Sequence, residues 1–593
     1  MLHTHSALQP GARKKQPLFL YGALLGALVF LLLYGPSTLN PTYDSWIRCG
    51  YVEEDIIQHY AAWQYYRYSD WHFPLTWLDN LSQPLGAAAA WGDPLPWAAV
   101  FFKLLSPILP ETFQYFGLVT LLHFMLQGAF AWLLIQLFDQ RISICLPGTL
   151  LLCCWPVMLE RVFRHTSLSA QWLVLAMLYL YFSARHSKIR WPLWALLFLI
   201  LPGIHAYFMP MAFGLLCASL LEHLLFRHTS WWWVLGVPGC LALSLVSARA
   251  LGVLMPNMGA DSSGLDFGRY SMNLNAPFNP SSMDLYHADE TLPWSQMLPI
   301  LPQNHHQYDG FNYLGAGVLL ALAGILVYGL VLAIRRGFGR SLRAAGQFAL
   351  QHCGLLIACA AFTLFSASNK MFWGTHPVLS FSLPKAVESV FSIFRASGRI
   401  FWPVGYLLAL SVIVVLAHVR KDLPRMRCSW GSLLLCLVLL VQLADLSGVL
   451  LYKHQHFAQG PLTDTHDYET EKARQLFAGT DEVLCLGNIF DYRLAECMIR
   501  SNHEIQTNLV MFGRGNYNET FATYATYTEA LLSGAPIDEN VLYVATEWSY
   551  CEEVFRSGHP DIAVWQLEQL YLFGVPTADR PAPDFTRENP TGV

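Results

Sequence analysis

Long apolar blocks of about 20 residues, each bounded by a short polar or basic cluster, recur through the first three quarters of this 593-residue chain. An α-helix of that length crosses the roughly 30 Å hydrocarbon core of a bilayer. The pattern predicts about eleven spans, over 17–34, 113–138, 142–158, 168–183, 191–207, 209–226, 231–251, 313–334, 354–366, 400–418 and 431–451. The block 94–109 is shorter and holds Pro94, Pro96, Lys103 and Pro107. It reads as a helix lying at the interface.

Charge orients the spans. Arg13, Lys14 and Lys15 precede the first one, which has no small-residue cleavage site and reads as an uncleaved anchor. Further basic clusters fall at Arg185–Arg190, at Arg335, Arg336, Arg340 and Arg343, and at Arg420, Lys421, Arg425 and Arg427. Basic loops stay cytoplasmic, so the N-terminus is expected on the cytoplasmic side of the membrane. The loops 35–112, 252–312 and 369–399 are then periplasmic. Counting 94–109 as a span would put every later basic turn on the wrong side.

Residues 1–452 thus form the transmembrane part, and 453–593 differ in kind. Val483–Leu486 and Val541–Ala545 read as short buried strands, and Glu469–Phe477, Tyr524–Ser533 and Ala563–Phe573 as helices. The alternation predicts a C-terminal periplasmic α/β domain with a partly parallel sheet. No dinucleotide, P-loop or nucleophile-elbow motif occurs in it. Asn518-Glu519-Thr520 matches a glycosylation sequon, and Cys497–Cys551 is one conceivable disulfide among several.

Composition agrees with the spans: 54% of residues are hydrophobic and 13% charged, against about 25% charged in soluble domains. The net charge of -5 implies no nucleic-acid partner, and the 13 cysteines show no zinc-ligand spacing.

The candidate chemistry lies in the outer loops. Asp55, Gln58 and His59 stand at i, i+3 and i+4 and would share one helix face. Asp93 follows in the same loop. The second loop carries Glu160, Arg161, Arg164 and His165, the third Arg269 and Tyr308, and the fourth Arg395 and Arg399. A carboxylate can take a hydroxyl proton, and planar guanidiniums suit phosphate. Each residue also has a plainer role. Asp55 and Asp93 would favour helix N-termini, the arginines would anchor spans at headgroups, and Tyr308 would join an aromatic belt.

Several stretches resemble an uncharacterised bacterial family of polytopic proteins (domain of unknown function 6311). They are Asp55-x-x-Gln58-His59-Tyr60-x-x-Trp63, Trp71-x-Phe73-Pro74-Leu75 and Tyr270-Ser271-Met272-Asn273-Leu274, then Gly310–Gly315 and Phe394–Arg399. The overall plan resembles the GT-C superfamily of membrane glycosyltransferases: one span, a large acidic outer loop with an interfacial helix, many further spans and an outer soluble domain. That resemblance implies an inverting transfer from a polyprenyl-phosphate sugar to a glycan or lipid acceptor among membrane lipids. Asp55 would be the general base, His59 and Gln58 would position it, and Arg161, Arg164, His165, Arg269, Tyr308, Arg395 and Arg399 would bind substrate. The family's adjacent acidic pair is absent, since Asp55 is followed by Ile56. A divalent cation (Mg or Mn) stays open, with Asp93 and Glu160 as candidate ligands. The competing classes are an O-antigen-type polymerase or ligase, a transporter of lipid or glycan, and a non-catalytic assembly protein.

Overall fold

The computed structural model describes residues 19–48, 55–185, 187–227, 230–255, 267–284, 291–419, 429–458, 468, 470–513, 515, 517–559 and 561–583. Glu53 and Glu54, the basic residues Arg13–Lys15, and the cluster Arg420, Lys421, Arg425 and Arg427 lie outside the described residues.

The chain is a mostly helical membrane protein. Seven helices among the described residues are long and apolar enough to cross a bilayer: Phe116–Gln136, Ile142–Arg161, Thr166–Ala184, Phe208–Phe226, Trp231–Ala250, Ala316–Arg336 and Ser397–Ala417. Two bent pairs raise the number to nine if each is one span. Phe338–Gln351 meets Cys353–Ala367 at 81°, and Trp430–Asp445 meets Ser447–Phe457 at 62°.

This corrects the expectation for 354–366, which forms one limb of a bent pair instead of a straight span. The other limb, Phe338–Gln351, carries Arg340 and Arg343 and has no buried residue. The expected spans 17–34 and 191–207 appear as the shorter apolar helices Phe19–Tyr34 and Trp191–Gly203. Pro96–Ile108 is likewise short. Its Lys103 ammonium turns inward, bonding Ser69 Oγ at 3.0 Å and the Asp70 carbonyl at 3.1 Å.

Small residues set how closely the first helices pack. Gly22 and Gly26 on Phe19–Tyr34 lie against Gly128 and Phe124 on Phe116–Gln136. A Cβ at Gly26 would overlap the Phe124 carbonyl oxygen, and one at Gly22 that of Gly128. In lipid, where apolar burial drives little helix association, such backbone approach supplies much of the packing energy. The helix Thr166–Ala184 is the most enclosed of the seven, about 89% buried along its apolar stretch. Ala316–Arg336, at 11%, is peripheral.

The C-terminal residues build a five-stranded mixed sheet. Glu482–Cys485 pairs parallel with both Gln506–Thr507 and Val541–Ala545. The hairpin Ala563–Leu567/Leu570–Gly574 adds antiparallel strands at one edge. Here the expected helix Ala563–Phe573 is corrected. Glu568 takes a positive φ of 53°, which turns the chain after two short strands. Cys485, Cys497 and Cys551 are buried free thiols, so no Cys497–Cys551 bridge forms. Asn518 starts the helix Asn518–Leu532.

This sheet unit seats directly on the first large loop. The Asn80 carbonyl accepts from Thr507 N at 3.1 Å, and Gln83 N donates to the Thr507 carbonyl at 3.0 Å. Ser82 Oγ donates to the Leu509 carbonyl at 3.0 Å, and Arg493 donates to the Arg48 carbonyl at 2.8 Å.

Candidate functional site

At one end of the helix bundle, the loops between spans close around a cavity of about 340 Å³. The helix Asp55–Tyr68 forms one wall. Its Ile56, Ile57, Tyr60, Trp63, Tyr65 and Tyr66 are buried, which fixes its rotation and leaves Asp55, Gln58 and His59 lining the cavity.

Asp55 pairs with the second loop. Its Oδ2 lies 3.1 Å from His165 Nδ1, and that nitrogen also donates to the Arg164 carbonyl at 2.9 Å. Burial alone would raise the Asp55 carboxyl. The charge and hydrogen bond of His165, with His59 and Arg164 behind, instead hold it well below the usual carboxylate range. His59 is fully enclosed and its Nδ1 meets no hydrogen-bond partner. Burial draws it down to about 3 against the opposing field of Asp55, so it is neutral at ordinary pH.

The expected positioning roles are therefore corrected. Gln58 reaches away from Asp55 and donates to the Met511 carbonyl at 2.7 Å. His59 stands 6.2 Å, ring to ring, from His165. The group that orients Asp55 is His165.

Asp309 organises the arginine wall. Arg161 Nη1 approaches Asp309 Oδ1 at 2.7 Å, and Arg399 Nη2 donates to both carboxylate oxygens at 3.1 and 2.8 Å. Burial would raise Asp309, but the two guanidiniums hold it far below the usual range. Two glycines explain how the loops approach so closely. A Cβ on Gly398 would lie 2.6 Å from Gly310 Cα, so the backbone flanking Asp309 touches the backbone flanking Arg399. Asn312 Nδ2 bridges them, donating to the Gly310 and Gly398 carbonyls at 3.0 and 2.9 Å.

The predicted arginines divide by this geometry. Arg161 is 1% exposed and braces Asp309 from behind the cavity. Arg164 pairs with Glu160 one helical turn away and lies 5.8 Å from the Tyr308 ring centroid. Glu160 is thus committed to a guanidinium, which corrects its candidacy as a metal ligand. Arg269 is exposed beside the Tyr270 ring and does not line the cavity. Arg395 does line it, 5.9 Å from the Tyr270 ring centroid, and meets no carboxylate among the described residues. Arg395 lies in irregular chain ahead of the turn Ser397–Phe401, so it and Arg399 are not on one helix. Among the described residues, Asp309 pairs with Arg161 and Arg399, and Glu160 with Arg164.

Asp93 also reaches the cavity, from a left-handed backbone position at φ 57°. It accepts from Ser167 Oγ, with His205 Nε2 at 4.0 Å. Among the described residues no group of three His, Cys, Asp or Glu side chains is arranged to hold a metal ion. Asp93 and Glu160 belong to different bonding groups. The donor set does not fit a divalent cation.

Reasoning from sequence missed Asp309 as the hub, although it lies beside Tyr308. It also missed the corner His205–Tyr207. There Tyr207 Oη accepts from Ala396 N at 2.8 Å and its ring lies 4.8 Å from the Arg399 guanidinium. A polar corner between two apolar blocks was the available signal. Tyr492 and Gly513 of the C-terminal part complete the rim.

No curated protein matches this chain. A family profile, described as Domain of unknown function (DUF6311), matches residues 23–447, which takes in the helix bundle and nearly every cavity-lining residue. The chain belongs to that family.

Proposed function

We propose that the protein is a membrane glycosyltransferase of GT-C type, moving a sugar from a polyprenyl-phosphate donor to a glycan or lipid acceptor in one inverting displacement. One observation carries this reading. A carboxylate–imidazole pair, Asp55 and His165, and three arginines, Arg164, Arg395 and Arg399, line the same cavity where membrane helices end. A lipid-linked phosphate needs cations at the bilayer edge, and an acceptor hydroxyl needs a proton acceptor nearby.

In this mechanism the Asp55–His165 pair takes the acceptor proton while the phosphate leaves toward Arg395 and the Asp309-braced Arg399. The basic ends of spans lie at the other end of the bundle. Ala316–Arg336 starts six residues after Gly310 and ends at Arg335 and Arg336. Under the positive-inside rule this supports a reading in which the cavity and the C-terminal sheet face the periplasm of a bacterial inner membrane.

The test is transfer by full-length protein returned to lipid, offered a panel of polyprenyl-phosphate sugars and acceptor extracts. Transfer from at least one donor, strongly reduced in Asp55→Asn, is expected. Absence of transfer across the panel, or full turnover by D55N, would overturn the reading.

A further inference from the structure

We propose that His165 is the group that takes the acceptor proton, through Nε2, and that Asp55 is its positioning residue; this rests on the reading of the cavity as a sugar-transfer site. The tautomer is fixed by geometry. Nδ1 faces two oxygens, the Arg164 carbonyl at 2.9 Å and Asp55 Oδ2 at 3.1 Å. The carbonyl can only accept, so Nδ1 carries the proton and Nε2 keeps its lone pair. The carbonyl alone would impose this tautomer, and the carboxylate reinforces it.

Nε2 bonds no protein group among the described residues, while the ring is 22% exposed and lines the cavity. Asp55 is less suited to receive the proton itself. Its Oδ2 faces the Nδ1 side of the ring at 3.1 Å, on the edge opposite to the open Nε2. The carboxylate charge is better used to favour the imidazolium that forms, the division of labour of carboxylate–imidazole pairs in acyl transfer. The other ionisable groups whose fields reach this pair are His59, buried and neutral, Arg164 and Asp309.

The step balances as follows. The acceptor hydroxyl gives its proton to His165 Nε2 as its oxygen bonds the anomeric carbon. The bond from that carbon to the donor phosphate oxygen breaks, and its electron pair leaves on the phosphate. The imidazolium, paired with Asp55, then returns its proton to water.

The experiment uses full-length protein in liposomes with a donor that the unmodified protein turns over. His165→Gln is expected to lower kcat roughly 10²–10⁴-fold with donor KM unchanged. His165→Gly should regain turnover with added imidazole, a readout that a purely structural role would not move. In Asp55→Asn kcat should fall while donor KM holds, because the imidazolium that forms has lost its counter-charge. Full turnover by H165Q beside an inactive D55N would overturn the inference and make Asp55 the base, leaving the transfer reading intact. No imidazole rescue of a folded H165G would also overturn it. No transfer by the unmodified protein from any donor defeats the transfer reading itself, and His165's role with it.

Discussion

Asp309 and Arg399 meet end-on, with one guanidinium nitrogen donating to both carboxylate oxygens at 3.1 and 2.8 Å, and both side chains are only 9% exposed. Arg161, 1% exposed, closes the other side. A buried pair of this kind contributes little over a hydrophobic replacement, but removing one partner strands the others. Asp309→Ala would leave two guanidiniums buried without a counter-charge. The expected loss is about 3–5 kcal/mol of stability, read as a lowered thermal midpoint in detergent. A change under about 1 kcal/mol, the scale of an exposed pair, would show that water reaches the triad.

The two glycines beside this pair allow a sharper comparison. At Gly398 an added methyl would lie 2.6 Å from Gly310 Cα and 3.1 Å from Met272 N. Both are backbone and cannot swing aside. Gly398→Ala is expected to cost about 1–3 kcal/mol and to weaken donor binding by separating Asp309 from Arg399. Gly324, on the peripheral span, has nothing within 4 Å of its built Cβ. Gly324→Ala should be neutral or stabilising by up to about 1 kcal/mol. Equal melting of the two variants would rule out close approach as the reason for Gly398.

Much of this was legible because a bilayer imposes a coarse rule. Apolar length and basic turns identify spans without any knowledge of packing. The face Asp55–Gln58–His59 was legible because helical spacing is local. Asp309 was not, because its partners Arg161 and Arg399 lie 148 and 90 residues away and only the fold brings them together. The hairpin at Ala563–Gly574 was misread for a different reason. Two apolar strands of five residues joined by Glu568 and Gln569 give one nearly continuous apolar run, in which periods of 2 and 3.6 cannot be separated. The limb Phe338–Gln351 of the bent pair was not read as a helix because Arg340, Arg343 and Gln347 interrupt its apolar residues.

His59 makes stability depend on pH in a definite direction. Burial lowers it from 6.5 to about 3 in the folded protein. A group with a depressed folded pKa binds more protons when unfolded. Its neutral form supports the fold fully above about 6.5, and that support is lost as pH falls toward 3. Each pH unit in this window removes up to about 1.4 kcal/mol. His59→Gln should flatten the slope of denaturation midpoint against pH between about 6 and 4. A parallel slope in the variant would show that His59 is hydrated in the folded protein.

Arg395 separates binding from folding. It lines the cavity and meets no carboxylate among the described residues, unlike Arg161 and Arg399, whose charges are tied to Asp309. Its removal leaves no buried anion behind, so Arg395→Ala should melt within about 0.5 kcal/mol of the unmodified protein. A charge-assisted contact to phosphate is worth about 1.5–3 kcal/mol, so the donor Kd should rise roughly 10- to 150-fold. Arg395→Lys should recover only part of this, because an ammonium lacks the planar fork that meets two phosphate oxygens at once. Measured by titrating a polyprenyl-phosphate lipid into the protein in nanodiscs, an unchanged Kd in R395A would place the phosphate elsewhere in the cavity. A large loss of stability instead would mean that Arg395, like Arg399, is part of the scaffold.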